Sequence, residues 1–443
     1  MSSSTTFKIA AAAFAVAGAF ASTAHAAGFM LTEQTAGSLG RAYAGVGVDG
    51  TDISGVYYNP ATMTLHPGTM IQAGFVGIGL NLDFAGDNGT SENGRYKSQA
   101  IPHGYITHQI NDSTWIGLAL TVPFGMGTEY DDNWGYANRG ISATVLTFDF
   151  NPNVAWKVSE KFSVGAGISL QYASADLKTR SDLPLSPAAT GSLNGEIDAD
   201  SWAWGFNVGM MWSPIDTFRV GLSYRSKITH KAEGDFKVDN GKINGIAAED
   251  VYANASSEEL AGAAGMLMQM YGTGSATATI STPAWAMATA AWDVNDLLSL
   301  YATFRWTDWS SFEELTINSS KLAALGGSKT ITNKWRDTYL GSLGADLRLT
   351  DWWTLRGGVA YESSPISDPS YRTAIIPDAD RWWFAVGSSF KLMDNLTWDI
   401  SFAHLHGVHE RNLYGEEGNR DTKVGKFRKL DAYLLGTQLV YKF

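Results

Sequence analysis

Few side chains in this sequence are spaced for chemistry. His404, His406, His409 and Glu410 crowd one short stretch. On an extended strand His404 and His406 share a face and His409 points the opposite way. The pattern is not H-E-x-x-H, so the group reads as a polar rim and no metal is expected. Gly45-x-Gly47-x-x-Gly50 has the letters of a dinucleotide fingerprint. No strand precedes it in a βαβ unit, so no cofactor is expected. A hydrolase would need Ser, His and a carboxyl or amide partner in concert, and no recognisable Ser or His motif is found. The chain has no Cys, which excludes disulfides and thiolate metal sites. Its 32 basic and 44 acidic residues give a net charge of −12, which disfavours a nucleic-acid partner. What the 443 residues do hold is 47 Gly, 16 Trp, 18 Tyr and 20 Phe, with only 17% charged. An enzyme is not expected.

The elements that position these aromatics come next. Residues 1–26 read as a secretory signal peptide: Lys8 is its only charge, Ile9 to Ala21 is apolar, and Ala24-His25-Ala26 fits a cleavage site. That apolar stretch is too short to cross a bilayer as a helix. In Phe162 to Tyr172, alternate positions read Phe, Val, Ala, Ile, Leu and Tyr, against Ser, Gly, Gly, Ser and Gln. Trp202, Trp204, Phe206, Val208, Met210 and Trp212 repeat the pattern, as do Phe218, Val220, Leu222 and Tyr224. Period two marks strands with one apolar and one polar face. About fourteen such segments follow one another between residues 69 and 443. Six tight polar turns, among them Val158-Ser159-Glu160-Lys161 and Met393-Asp394-Asn395, alternate with long loops, the third of them about Lys178 to Asp200. The fold class predicted is therefore all-β: a 14-stranded antiparallel transmembrane β-barrel, which leaves no unpaired edge in lipid. A soluble sandwich gives no reason for the long and short alternation. Tyr433, Leu435, Leu439, Tyr441 and the terminal Phe443 share a face, like the signal read by barrel-insertion machinery.

Residues 27–68 do not fit a strand. They are rich in Gly and small polar residues, and a plug, or hatch, inside the lumen is the economical reading, with residues 69–443 as the barrel. Pro123-Phe124-Gly125 follows the third strand; proline removes a ladder donor and glycine weakens a strand, so pairing should break there. Leu260 to Tyr271, with Met266, Leu267 and Met270, lies in the longest external loop, behind Glu258 and Glu259. It reads either as an adaptable apolar surface or as a helix packed over the mouth.

Ala27-Gly28-Phe29, Gly40-Arg41-Ala42-Tyr43-Ala44-Gly45 and Asn59-Pro60-Ala61 resemble the hatch of the FadL family of outer-membrane long-chain fatty acid transporters. Pro123-Phe124-Gly125, Trp309-Ser310-Ser311-Phe312 and Ile376-Pro377-Asp378-x-Asp380-Arg381 extend the likeness along the mature chain. The resemblance implies passive transport of long-chain fatty acids, captured in an apolar luminal pocket and released sideways where the third strand is kinked. Import of aromatic hydrocarbons is the alternative, since relatives of this build handle toluene-like compounds. The expected partners are that ligand, outer-membrane lipid and lipopolysaccharide, and the insertion machinery; a monomer is expected. By resemblance, Phe29 enters the tail site, Glu362 is its acidic residue, Leu177 is an apolar wall, and Thr179 stands where the family carries a base. Arg180, Lys334 and Arg336 are the substitute bases. The Asn59-Pro60-Ala61 turn is expected behind the kink, and Met266, Leu267 and Met270 on an outer capture surface.

Overall fold

The computed structural model describes residues 28–92, 99–186, 189–325, 327–415 and 420–443, so the expected signal peptide lies outside the described residues. Fourteen antiparallel strands form the wall. They are β1 (Thr69–Gly86), β2 (Gln99–Asn111), β3 (Thr114–Thr121, resumed at Gly125–Glu129), β4 (Ser142–Ser159) and β5 (Phe162–Ser186). Next come β6 (Ala189–Ile215), β7 (Phe218–Arg225, resumed at Ile228–Ile243), β8 (Gly272–Thr282, resumed at Trp285–Asp293) and β9 (Leu298–Thr307). The last are β10 (Thr338–Thr350), β11 (Trp353–Glu362), β12 (Arg381–Met393), β13 (Leu396–Gly407) and β14 (Lys423–Lys442). β14 returns to β1, paired from Met70↔Lys442 to Gly86↔Gly425 with one shift of register between Asp83 and Phe84. That pairing closes the barrel.

The faces are inverted relative to a water-soluble domain. Trp204 is 73% exposed and Ile168 61%, whereas Gln171 is 1% exposed and Ser169 fully buried. Apolar side chains therefore coat the outside and polar ones line the lumen, as a lipid solvent requires. The region expected as a third external loop, about Lys178 to Asp200, is instead a continuation of β5 and β6, paired from Leu177↔Ile197 to Leu183↔Gly191. Its alternation is diluted by Ser, Thr and Asp, because strands standing above the membrane have no lipid face to fill. Helix Glu258–Gln269 is capped by Ser257, whose Oγ accepts from the Leu260 amide at 3.2 Å.

Residues 28–66 lie inside the lumen and are almost entirely buried. Arg41 is held between Asp49 and Asp346, with its guanidinium 4.1 Å over the Tyr301 ring. Arg356 reaches Asp399 at 3.0 Å and the Gly37 carbonyl at 3.2 Å. Gln438 accepts from the Ala36 amide, and Arg225 donates to the Tyr57 carbonyl. Inward glycines let the segment approach the wall: a Cβ on Gly358 would lie 2.2 Å from the Arg41 carbonyl oxygen. The dinucleotide-like glycines Gly45, Gly47 and Gly50 all have positive φ and simply turn this backbone.

The Asn59-Pro60-Ala61 turn is not behind the kink, which corrects the sequence expectation. Asn59 Nδ2 donates to the Met210 carbonyl on β6, and Pro60 sits on Gly165 of β5. A Cβ on Gly165 or Gly209 would collide with this turn, so the glycine floor of β5 and β6 decides where it docks.

Candidate functional site

The wall is interrupted at β3. Residues 114–120 pair with β2, ending at Gly104↔Leu120, while Gly125–Glu129 pair with β4. Among the described residues, Gln99–His103 of β2 pair on the other side only, with β1. The backbone between the two halves of β3 is satisfied from within the lumen. The Gln34 side chain brackets Val122, donating to its carbonyl at 2.7 Å and accepting from its amide at 3.1 Å. The Leu31 amide donates to the Pro123 carbonyl at 2.8 Å, and the Gly125 amide donates to the Phe29 carbonyl at 2.9 Å. Met30 bridges Phe124 in antiparallel fashion. Thus residues 29–34, rather than the Asn59 turn, lie behind the break.

Phe29 sits in a box of rings. Its centroid is 4.8 Å from Trp309, 5.6 Å from Phe312, 6.0 Å from Phe124 and 6.2 Å from Trp335. Gly28 permits this packing, since a Cβ there would meet Trp309 at 2.7 Å and Trp335 at 2.8 Å. Its amide donates to Asp378, which also binds Ser364 and Arg381. Next to it, Arg305 joins Thr32 Oγ1 and Glu362. Glu33 is buried beside this group; burial first, then the repulsion of Glu362, pushes its carboxyl up to about 8.

Above the box lies a cavity of about 260 Å³. Its lining includes the apolar Leu177, Ile197, Phe236, Ile317, Ile331 and Ile375. It also includes Arg139, Arg372 and Arg420. Arg372 is buried and held by the carbonyls of Asp378, Asn412 and Glu410; burial lowers its pKa despite the nearby carboxylates. Arg420 lies 4.0 Å over the Tyr371 ring, with a buried guanidinium nitrogen that has no hydrogen-bond partner among the described residues. Ile375 belongs to the same apolar cluster as Phe29, and Leu177 packs against both that cluster and the one formed by the extended strands. The cavity thus adjoins the aromatic box.

Several sequence-predicted residues fall elsewhere. Leu177 and Thr179 line the cavity, but Arg180 alternates away from it and pairs with Asp182 at 3.3 Å. Lys334 and Arg336 are exposed and precede β10, which begins at Thr338. Lys334 faces Tyr371, and Arg336 donates to the Ser364 carbonyl; Trp335 between them points inward. Glu362 is engaged by Arg305 beneath the cavity and does not line it. Of the outer capture residues, Met266 is exposed and Met270 half-buried. Leu267 is fully buried against the extended strands, so the helix is chiefly a packed cover. The sequence reading missed Trp309, Phe312 and Asp378 as site residues, although the motifs containing them were visible.

The family model described as outer membrane protein transport protein (OMPP1/FadL/TodX) matches residues 17–443. The chain belongs to the FadL family. Its members are outer-membrane transport proteins, and this chain's closed barrel and apolar exterior agree with that location. A long-chain fatty acid transport protein of Escherichia coli O6:H1 is 27% identical over 474 residues, covering 100% of both chains. The crystal structure of a Pseudomonas aeruginosa FadL homologue superposes with a TM-score of 0.80 at 26% identity, over 94% of this chain and 100% of that one. The toluene transporter TodX of P. putida shares the fold, with a TM-score of 0.71 at 14% identity over 93% and 99% of the two chains.

Proposed function

We propose that this FadL-family protein carries long-chain fatty acids passively across the outer membrane, from the arginine-lined cavity to a lateral exit at the β3 break. The observation that carries this reading is a cavity lining that combines apolar side chains with three arginines. Each buried methylene contributes about 0.8 kcal/mol, so the apolar side chains hold the tail. A carboxylate meets charge-assisted donors at the arginines, where one buried nitrogen of Arg420 has no hydrogen-bond partner among the described residues. Residues 29–34 then act as the gate. Withdrawing them frees the Val122, Pro123 and Gly125 backbone groups and opens the wall between β2 and β3. The same reading casts residues 1–26 as a removed signal peptide and the N-terminal segment as a hatch.

Aromatic hydrocarbon import by the same route is the second reading, favoured by the rings around Phe29. The arginines separate the two. Arg420→Ala is expected to weaken oleate binding and growth on oleate while leaving an uncharged hydrocarbon such as toluene unaffected. Equal loss of both, or of neither, argues against a carboxylate site. Steady ion conductance of the unmodified protein in bilayers would instead mark an open porin.

A further inference from the structure

The outer wall carries a group of side chains that neither capture nor docking uses. His404 and His406 lie two residues apart on β13 and face the same way, and Asp431 of β14 is the cross-strand partner of His406. Their neighbours Ala403, Leu405 and Ala432 are buried, so the three project from the exterior face. One donor atom from each lies within 4.8 Å of the others. His406 Nδ1 is 2.8 Å from Asp431 Oδ1. The His404 ring is stacked on Tyr433 with centroids 4.8 Å apart, which fixes its plane. Its buried Nε2 has no hydrogen-bond partner among the described residues. By contrast, His409 is turned away and bound to Asp380.

We propose that His404, His406 and Asp431 form a binding site for a divalent transition metal of the Zn²⁺ type on the outer wall. Two imidazoles and one carboxylate suit Zn²⁺, Ni²⁺ or Cu²⁺ better than Ca²⁺ or Mg²⁺, which favour all-oxygen sets. Metal–donor bonds of about 2.0–2.2 Å place donors about 3.3–3.6 Å apart in a tetrahedron. The three donors, now within 4.8 Å of one another, draw together by up to about 1.5 Å when the ion enters. The height also fits. β13 starts at Leu396 beside the inner turn; at about 3.3 Å per residue and about 40° of tilt, His406 stands ~25 Å above it, at the upper edge of the apolar belt. An ion from the headgroup region can reach that level without crossing hydrocarbon.

Calorimetric titration of the full, tag-free protein in detergent tests this, with Zn²⁺ as probe and Mg²⁺ as the control. One Zn²⁺ per chain is expected, bound far more tightly than Mg²⁺. His406→Gln, Asp431→Asn and His404→Phe, the last keeping the ring stacked on Tyr433, should each weaken Zn²⁺ by about tenfold or more. Co²⁺ should show visible ligand-field bands that the same variants lose. Absence of Zn²⁺ binding by the unmodified protein overturns the proposal. So does undiminished binding in His406→Gln and Asp431→Asn that still migrate as folded, heat-modifiable barrels.

Discussion

The two ends of the segment inside the lumen meet the wall by different physics. From Ala36 to Leu65 the contacts are buried ions and close backbone approaches: Arg41 with Asp49 and Asp346, Arg356 under Gly37, and Pro60 on Gly165. From Gly28 to Gln34 they are four hydrogen bonds to the broken strand, one ring box, and single hydrogen bonds with Asp378 and Arg305. Stripping one partner from a buried ion pair costs about 3–5 kcal/mol, because the remaining charge stays desolvated. A hydrogen bond that water can replace contributes about 0.5–1.5 kcal/mol. On the proposed function, the rear half is the anchor and the front half is the part a ligand of modest affinity moves.

The sharpest way to break this contrast is Arg41→Ala. Asp49 would be left buried without its ion partner and Asp346 with Arg356 alone, at 3.5 Å, and the barrel should lose about 3–5 kcal/mol of stability or release its plug. Thermal unfolding and bilayer conductance read this out, and an intact, non-conducting barrel would show that the anchor lies elsewhere. Phe29→Ala empties the ring box and should cost about 3 kcal/mol locally. Proteolysis should then cut near residue 30 while the rear half stays protected. Equal exposure of both halves would erase the distinction.

Smaller effects probe the break itself. Pro123→Val returns an N–H to β3 and should slow fatty acid uptake several-fold with little change in binding. Gly125 is best left alone here, since an added Cβ meets Leu31 at 2.8 Å. Unchanged uptake would count against the sideways route. The finest test is pH. Glu33 titrates at about 8 when docked, against 4.5 for a free glutamate. The docked state then holds a proton that a released segment gives up, so docking weakens as pH rises from about 4.5 to about 8. Amide protection factors of residues 29–34, with base-catalysed intrinsic exchange divided out, should fall over that interval, and Glu33→Gln should flatten the response.

The barrel was legible because lipid imposes a repeating demand on every strand. Ile168, Trp204 and Phe206 declare the outer face one residue at a time, and the tight turns between strands declare which ends meet. The interruption at Pro123 was equally local, since a missing amide is a property of one residue. The strands above the membrane were less so: Lys178 to Asp200 looked like a loop because its faces need not differ in polarity.

The candidate site was legible only in fragments. Phe29 and Leu177 carried a signal in their motifs, whereas Arg372 and Arg420 come from distant loops with no periodicity to betray them. Arg180 shows the difficulty: a shift of one position on a strand moves a side chain to the opposite face. Asp431 is 25 residues from His406, and only pairing between β13 and β14 brings it opposite. The sequence by itself determined which faces meet lipid, where the wall weakens and that a glycine-rich segment precedes the barrel. Those follow from the chemistry of single residues and their immediate spacing. The tertiary structure alone decided which charges converge on the cavity, where the Asn59 turn docks and what fills the break in β3. Each of these depends on closing a ring of fourteen strands, and that closure joins residues that no local pattern connects.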